Sequence, residues 1–378
     1  MKHIISNVLL VAITLLWSAA TATEAQSLNR IDYRGQKLFL SGGNIAWISF
    51  ARDVGPGPTN MKMFDNIFQS VENHGGNTMR FWVHIDGTHS PEWQGDVVVG
   101  PGKGTISDLR AILDDAWSHH VTLLLSLWSF DMLTKKHSNE VIQRNTKLLT
   151  DSTLTRKYID NALIPIVKAL KGHPGIMGWE VFNEPEGMSN EFGWKHTHHV
   201  PMADIQRFVN MVAGAIHRTD PAAKVTNGTW CLRAQTDVTL SDSPHTNKNY
   251  YRDDRLIAAG GDPDGTLDFY TVHYYDWQSA AITPILHNAD TWKLHKPLVI
   301  GEFFLPDRVE GIPYENVYKT YYKEGYAGAL VWQWYDWWKK RPRITNNWPR
   351  GLQNMDSMKV NYPDLVNIKT GKSQSMGG

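Results

Sequence analysis

The stretch Gly178-Trp-Glu-Val-Phe-Asn-Glu-Pro185 decides the reading of this chain. An apolar-rich run beginning at Ile176 ends on the carboxylate of Glu184, and Pro185 closes it. A charge at the end of a buried strand is costly unless it is paired or in use. A second run, Pro297-Leu-Val-Ile-Gly-Glu-Phe303, ends the same way on Glu302. About three strand–helix units of chain lie between them, so in a (β/α)8 barrel both carboxylates reach one cleft at the C-terminal face. Two carboxylates placed so can share the work of acid and nucleophile at an acetal.

Working outward, eight β-rich runs can be read: 38–41, 77–83, 121–128, 176–182, 224–227, 267–274, 298–301 and 329–334. Continuous apolar stretches of this length suit strands covered on both faces. Helical spacing fills the gaps, over 108–117 behind an N-cap at Ser107, over 158–170, and over 205–216. The last of these stops at Thr219-Asp-Pro221, where proline cannot continue a helix. Strands alternating with helices predict an α/β fold with a parallel sheet, and eight units predict its closure into a single TIM barrel. No low-complexity linker divides the chain, so residues 26–378 read as one catalytic domain with a short mobile tail from Gly371. Residues 188–200 and 233–251 read as long loops rimming the site.

The chain starts Met1-Lys-His3, continues with an apolar run from Ile4 to Trp17, and then offers small residues up to Ala25. Basic, apolar, small is the order of a secretory signal peptide over residues 1–25, and the run is short for a membrane span. Secretion to the extracellular space is the expectation. Lysine plus arginine balance aspartate plus glutamate, 38 against 38, so no field draws the chain to nucleic acid or anionic lipid. A neutral partner fits better. The single cysteine, Cys231, leaves no intramolecular disulfide. Among 16 tryptophans, many sit near predicted strand ends: Trp47, Trp82, Trp128, Trp179, Trp230, Trp277, Trp332 and Trp334. Flat rings in a wet cleft suit the C–H faces of sugars, although core packing accounts for such residues equally well when each is taken alone.

The motifs Asn183-Glu184-Pro185, Gly301-Glu302-Phe303, Met79-Arg80-Phe81-Trp82, His273-Tyr274-Tyr275 and Val331-Trp332 resemble those of glycoside hydrolase family 5, a group of retaining barrel enzymes. The longer strings Trp179-Glu-Val-Phe-Asn-Glu-Pro-Glu-Gly187 and Ser41-Gly-Gly-Asn-Ile-Ala-Trp47 are similar to the animal endo-β-1,4-mannanases within it. The resemblance implies Glu184 as acid/base, Glu302 as nucleophile, β-mannan as substrate, and no cofactor or metal; the chain is expected to work as a monomer. Chemistry asks for the same division. Glu302 must stay ionised, so it wants Arg80 and Tyr275 nearby. Glu184 must hold its proton in a less stabilising setting. Asn183 is placed to reach a sugar hydroxyl, His273 to donate to substrate or to Glu184, and Trp332 to floor the cleavage subsite. Arg80 could instead pair with a structural carboxylate, and Tyr275 and His273 could be satisfied core residues.

One departure stands out. The family places a histidine just after its third strand, whereas this chain reads Ser126-Leu-Trp-Ser129, so Trp128 is expected to replace it as a stacking surface. His196-Thr-His-His199 lies in a loop without a metalloprotease pattern and reads as solvated. Gly100-Pro-Gly-Lys-Gly104 reads as a turn, and Asn227-Gly-Thr229 is a glycosylation sequon on a strand end, where a glycan would not fit. The rival readings are an endoglucanase of the same mechanism and a sugar-binding barrel without catalysis.

Overall fold

The computed structural model describes residues 29–239, 246–335 and 346–369. The predicted signal peptide and the predicted mobile tail lie outside them. Eight parallel strands close into a barrel: β1 Leu40–Ala46, β2 Thr78–Ile85, β3 Thr122–Ser129, β4 Ile176–Asn183, β5 Val225–Thr229, β6 Tyr270–His273, β7 Leu298–Glu302 and β8 Gly328–Val331. Hydrogen bonding runs in chain order, and β8 returns to β1 through Gly328 to Leu40 and Val331 to Gly43. A hairpin of Ile31–Tyr33 and Gln36–Leu38 packs at the other end, where Ile31, Tyr33 and Leu38 join Leu40, Leu124, Met177 and Val299 in one apolar cluster.

Each of the eight predicted runs is a strand, with shifted ends. The first was expected over 38–41 and instead runs to Ala46 through two glycines, which local propensity disfavours in a strand. Close approach explains Gly42: a Cβ there would lie 1.6 Å from Thr78 O on β2. The helix expected behind Ser107 begins earlier, at Thr105. Gly104 caps it at φ +86°, its carbonyl accepting from Asp108 N, and Ser107 Oγ donates to that same carbonyl. The helix expected over 158–170 is split by a π turn at Ile159–Leu163. The helix Met202–Thr219 ends where Pro221 predicts, with Asp220 as its C-cap.

Between strands, the large helices cover the outside of the barrel and bury one contiguous core of Ile, Leu, Val, Phe and Met against β1 to β8. The sixth unit is the exception. Only two 3-10 turns, Ala280–Ile282 and Ala289–Trp292, stand between β6 and β7. The helix Asn347–Asn361 packs beside β1 and buries Met355 and Met358. Among the described residues no helix is long and apolar enough to cross a membrane.

Candidate active site

Strand geometry delivers the two glutamates. Glu302 is the last residue of β7, and Glu184 follows directly on β4. Leaving β4, the chain turns into the left-handed region at Glu184, φ 48° and ψ 50°, where its N–H donates to Gly228 O at 2.7 Å. A non-glycine residue pays for that conformation, and such strain is tolerated where the surroundings over-determine it. Pro185 then starts a 3-10 turn, so the exit from the strand is stiff, as the sequence predicts.

Arg80 organises the floor. It is fully buried on β2 and every guanidinium nitrogen is bonded. Nη1 donates to Glu302 Oε1 at 2.6 Å and to Asn44 Oδ1 at 3.0 Å. Nη2 donates to Glu180 Oε1 at 2.6 Å and to Asn183 Oδ1 at 2.8 Å, while Nε spans both Glu180 oxygens. Both readings of Arg80 therefore hold: it pairs with a structural carboxylate, Glu180, and with Glu302. A buried arginine shared by two carboxylates keeps one negative charge in excess, so removing the cation would be strongly destabilising. Gly228 leaves room for this cluster, since a Cβ there would lie 2.8 Å from Glu180 Oε1 and 2.9 Å from Arg80 Nη2. Asn44 Nδ2 in turn donates to Gly301 O, Leu330 O and Val331 O, tying the ends of β7 and β8 to β1.

Tyr275 Oη donates to Glu302 Oε2 at 2.6 Å, so each Glu302 oxygen has a donor. Glu184 has a different setting. Its one side-chain partner among the described residues is His273, whose Nδ1 lies 2.8 Å from Oε1. Burial, and then the Arg80 charge, hold His273 well below its usual range, so it is neutral. Burial first, then the charges of Glu302 and Glu186, raise Glu184 well above the ordinary carboxylate value. Burial also lifts Glu302, to about 7, against the pull of Arg80 and Tyr275 in the other direction. The two acids titrate as a pair, and the donors decide the sharing: the proton rests on Glu184 and the charge on Glu302. With His273 neutral, its tautomer sets which of the two donates in the bond between Nδ1 and Glu184 Oε1.

Around the pair lies a cleft of about 620 Å³ with apolar walls. Trp47, Phe50, Trp82 and Trp332 form one wall, Tyr275, Trp277 and Phe304 another, and Phe130, Asp131, Asn183 and Gln333 complete the lining. Trp332 packs on Trp47 and Trp82 at 5.8 and 5.7 Å between ring centres, and Trp277 stacks on Tyr275 at 4.5 Å. Trp128 is not part of it. Contrary to the expectation, its ring is 1% exposed and packs against His84 and Tyr158 outside the cleft lining. A register shift in the pairing of β2 with β3 precedes the Ile85–Trp128 contact, so strand parity does not foretell this side chain's direction. Trp179 is likewise core. Asn227 is fully buried and its Oδ1 accepts from Phe182 N, which leaves no room for a glycan.

These geometries meet an independent finding. The sequence pattern of the glycosyl hydrolase family 5 cellulases matches residues 42–341. The chain belongs to glycoside hydrolase family 5. Among curated family 5 relatives, a mannan endo-1,4-beta-mannosidase from Mytilus edulis is 35% identical, over 92% of this chain and 97% of its own. Another, from Cryptopygus antarcticus, is 36% identical over 84% of this chain and 87% of its own. The solved beta-1,4-mannanase of Aplysia kurodai superposes with a TM-score of 0.78 at 31% identity, covering 90% of this chain and 98% of that one. The Mytilus edulis beta-mannanase gives 0.77 at 34% identity, covering 91% and 98%.

In this family 5 hydrolase the sequence reading finds Glu184, Glu302, Arg80, Asn183, His273, Tyr275 and Trp332 gathered at one site. It misses Glu180, Asn44 and Asp131. Glu180 carried a signal, because a glutamate in the middle of an otherwise apolar strand demands a buried cation. Tyr275 offers a direct test of the charge sharing. Tyr275→Phe removes a donor that favours ionised Glu302, so its pKa rises and the acid limb of the kcat/KM profile moves to higher pH. An unchanged acid limb in Tyr275→Phe would show that the phenol does not hold the charge.

Proposed function

We propose that the protein is a secreted endo-β-1,4-mannanase that cleaves internal bonds of mannan, glucomannan or galactomannan with retention of configuration. One observation carries the mechanism: oxygens of Glu184 and Glu302 and Nδ1 of His273 all lie within 4.8 Å of one another. Retaining enzymes place their carboxyls about 5 Å apart, whereas inverting enzymes leave roughly 6.5–9.5 Å for a water between them. Glu302, ionised, attacks the anomeric carbon from the face opposite the leaving group. Glu184 gives its proton to the departing glycosidic oxygen and then takes one from the water that frees the sugar. Arg80 and Tyr275 release hydrogen-bonding strength from Glu302 as its charge passes into the new bond. Trp332, with Trp47 and Trp82, offers an apolar face to the ring being cleaved.

Mannan as the substrate is supported by the names of the relatives over nearly the full chain. The basic, apolar and small order of residues 1–25 supports secretion. Incubation with linear β-1,4-mannan and, in parallel, with soluble cellulose tests the substrate. Short manno-oligosaccharides from mannan alone are the expected products. Cleavage of cellulose alone would move the specificity to glucans, and binding without products from either would leave a barrel that no longer catalyses.

A further inference from the structure

The cleft holds a third acid that the double displacement does not use. Asp131 lies two residues beyond β3, lines the cleft with Asn183 and Glu184, and is 8% exposed. Its Oδ2 accepts from Ser129 Oγ at 2.7 Å, and among the described residues this is the one side-chain hydrogen bond to the carboxylate, which leaves Oδ1 as the acceptor it can offer to the cleft. Lys136 and His137 reach the carboxyl only by charge, His137 Nε2 being bonded to the Asp131 backbone carbonyl, and burial dominates, raising its pKa. Nor is the carboxylate needed to cap the turn Phe130–Leu133, because Ser129 Oγ accepts from Asp131 N and does so alone. A carboxylate that lines the cleft with an acceptor to spare is placed to receive a hydroxyl beside the reacting pair.

Ser129 adds a direction. Its hydroxyl proton goes to Asp131, so its lone pairs face Asn183 Nδ2 at 3.3 Å. The other end of that amide, Asn183 Oδ1, accepts from Arg80 Nη2. Asp131, Ser129, Asn183, Arg80 and Glu302 thus form one hydrogen-bonded line in which every donor direction is set. One N–H of Asn183 points to Ser129, and the second is left for a ligand.

We propose that Asp131 is a substrate-binding residue: Oδ1 accepts a hydrogen bond from a pyranose hydroxyl in the cleft, and Oδ2, through Ser129, holds the Asn183 amide in its binding orientation. A carboxylate is the strongest acceptor a protein can offer a neutral polyol, and its bond is charge-assisted. The proposal rests on the glycosidase reading of this site and adds a specificity contact to it. Asp131 becomes part of what distinguishes sugars that present a hydroxyl here from those that do not.

Calorimetric titration with mannohexaose, in a Glu184→Gln background that blocks turnover, decides the matter. Asp131→Ala and Asp131→Asn are each expected to weaken binding about 10- to 100-fold. Asp131→Asn keeps the shape and an acceptor for Ser129 but turns a donor toward the sugar, so it separates the contact from folding. Ser129→Ala leaves the carboxylate in place and is expected to cost less than either. Affinity within about twofold of the parent in Asp131→Asn would overturn the proposal. So would an equal loss in Ser129→Ala, which would reduce Asp131 to a positioning role. Should the parent bind cellohexaose and not mannohexaose, the mannan reading falls, and the same comparison on cellohexaose decides Asp131.

Discussion

Glu302→Ala is expected to lower kcat on mannan on the order of 10⁴-fold or more, with the fold retained. In the proposed mechanism this removes the nucleophile, and His273 does not stand in for it, being neutral and bonded to Glu184. Folding should survive because Arg80 keeps Glu180, with Nε and Nη2 both bonded to that carboxylate. The variant also reports the geometry. With an aryl mannoside bearing a good leaving group, azide can enter the space Glu302 vacates and attack from the same side. The product is then an α-mannosyl azide, identified by NMR. Recovery of the β-azide from this variant would assign the nucleophile's role elsewhere.

Glu184→Ala should behave differently on the two kinds of substrate. On mannan, where the leaving sugar needs a proton, loss of the general acid is expected to lower kcat by roughly 10² to 10⁴-fold. On the aryl mannoside the first step needs no acid, so the covalent mannosyl-enzyme should form and accumulate as a burst. Azide then attacks that intermediate from the opposite face and yields the β-azide. The pH dependence follows from the proton's location. Glu184 is raised by burial and by its acidic neighbours, and the wild-type enzyme loses kcat/KM on the basic side as that proton leaves. Glu184→Ala should lose this basic limb on the aryl substrate and keep the acid limb that belongs to Glu302. A basic limb that persists in the variant would mean that another group supplies the proton, and Glu186, buried two residues on and raised to about 7, is the one to replace next.

Why so much of this site can be read from sequence comes down to strand ends. In a closed parallel barrel the residue that ends a strand enters the common cleft, so an apolar run stopped by a polar residue names a site residue. Glu302 and His273 obey that rule, Glu184 follows directly on β4, and Tyr275 lies two residues past its strand. Arg80 sits mid-strand on β2, where its charge demanded carboxylates from elsewhere in the barrel; Glu180 on β4 and Glu302 on β7 are those partners. The failures have physical causes too. Trp128 follows a register shift between β2 and β3, and pattern alone cannot see a bulge. The cleft walls also use Phe50, Phe130 and Phe304, which tryptophan counting passes over. Gly42 and Gly43 conceal a strand, because glycine at 42 passes the Thr78 backbone and glycine at 43 lies close against Trp348 and Val331. Asp131 lies in a turn whose direction no periodicity records.

Retention requires Glu184 and Glu302 to stand close enough for one of them to form a bond with the sugar. The most direct measurement is the configuration of the first product, followed by proton NMR while mannohexaose is being hydrolysed and before mutarotation equalises the anomers. Retention predicts the β-anomer at the new reducing end. First appearance of the α-anomer would mean single displacement by water and would contradict it.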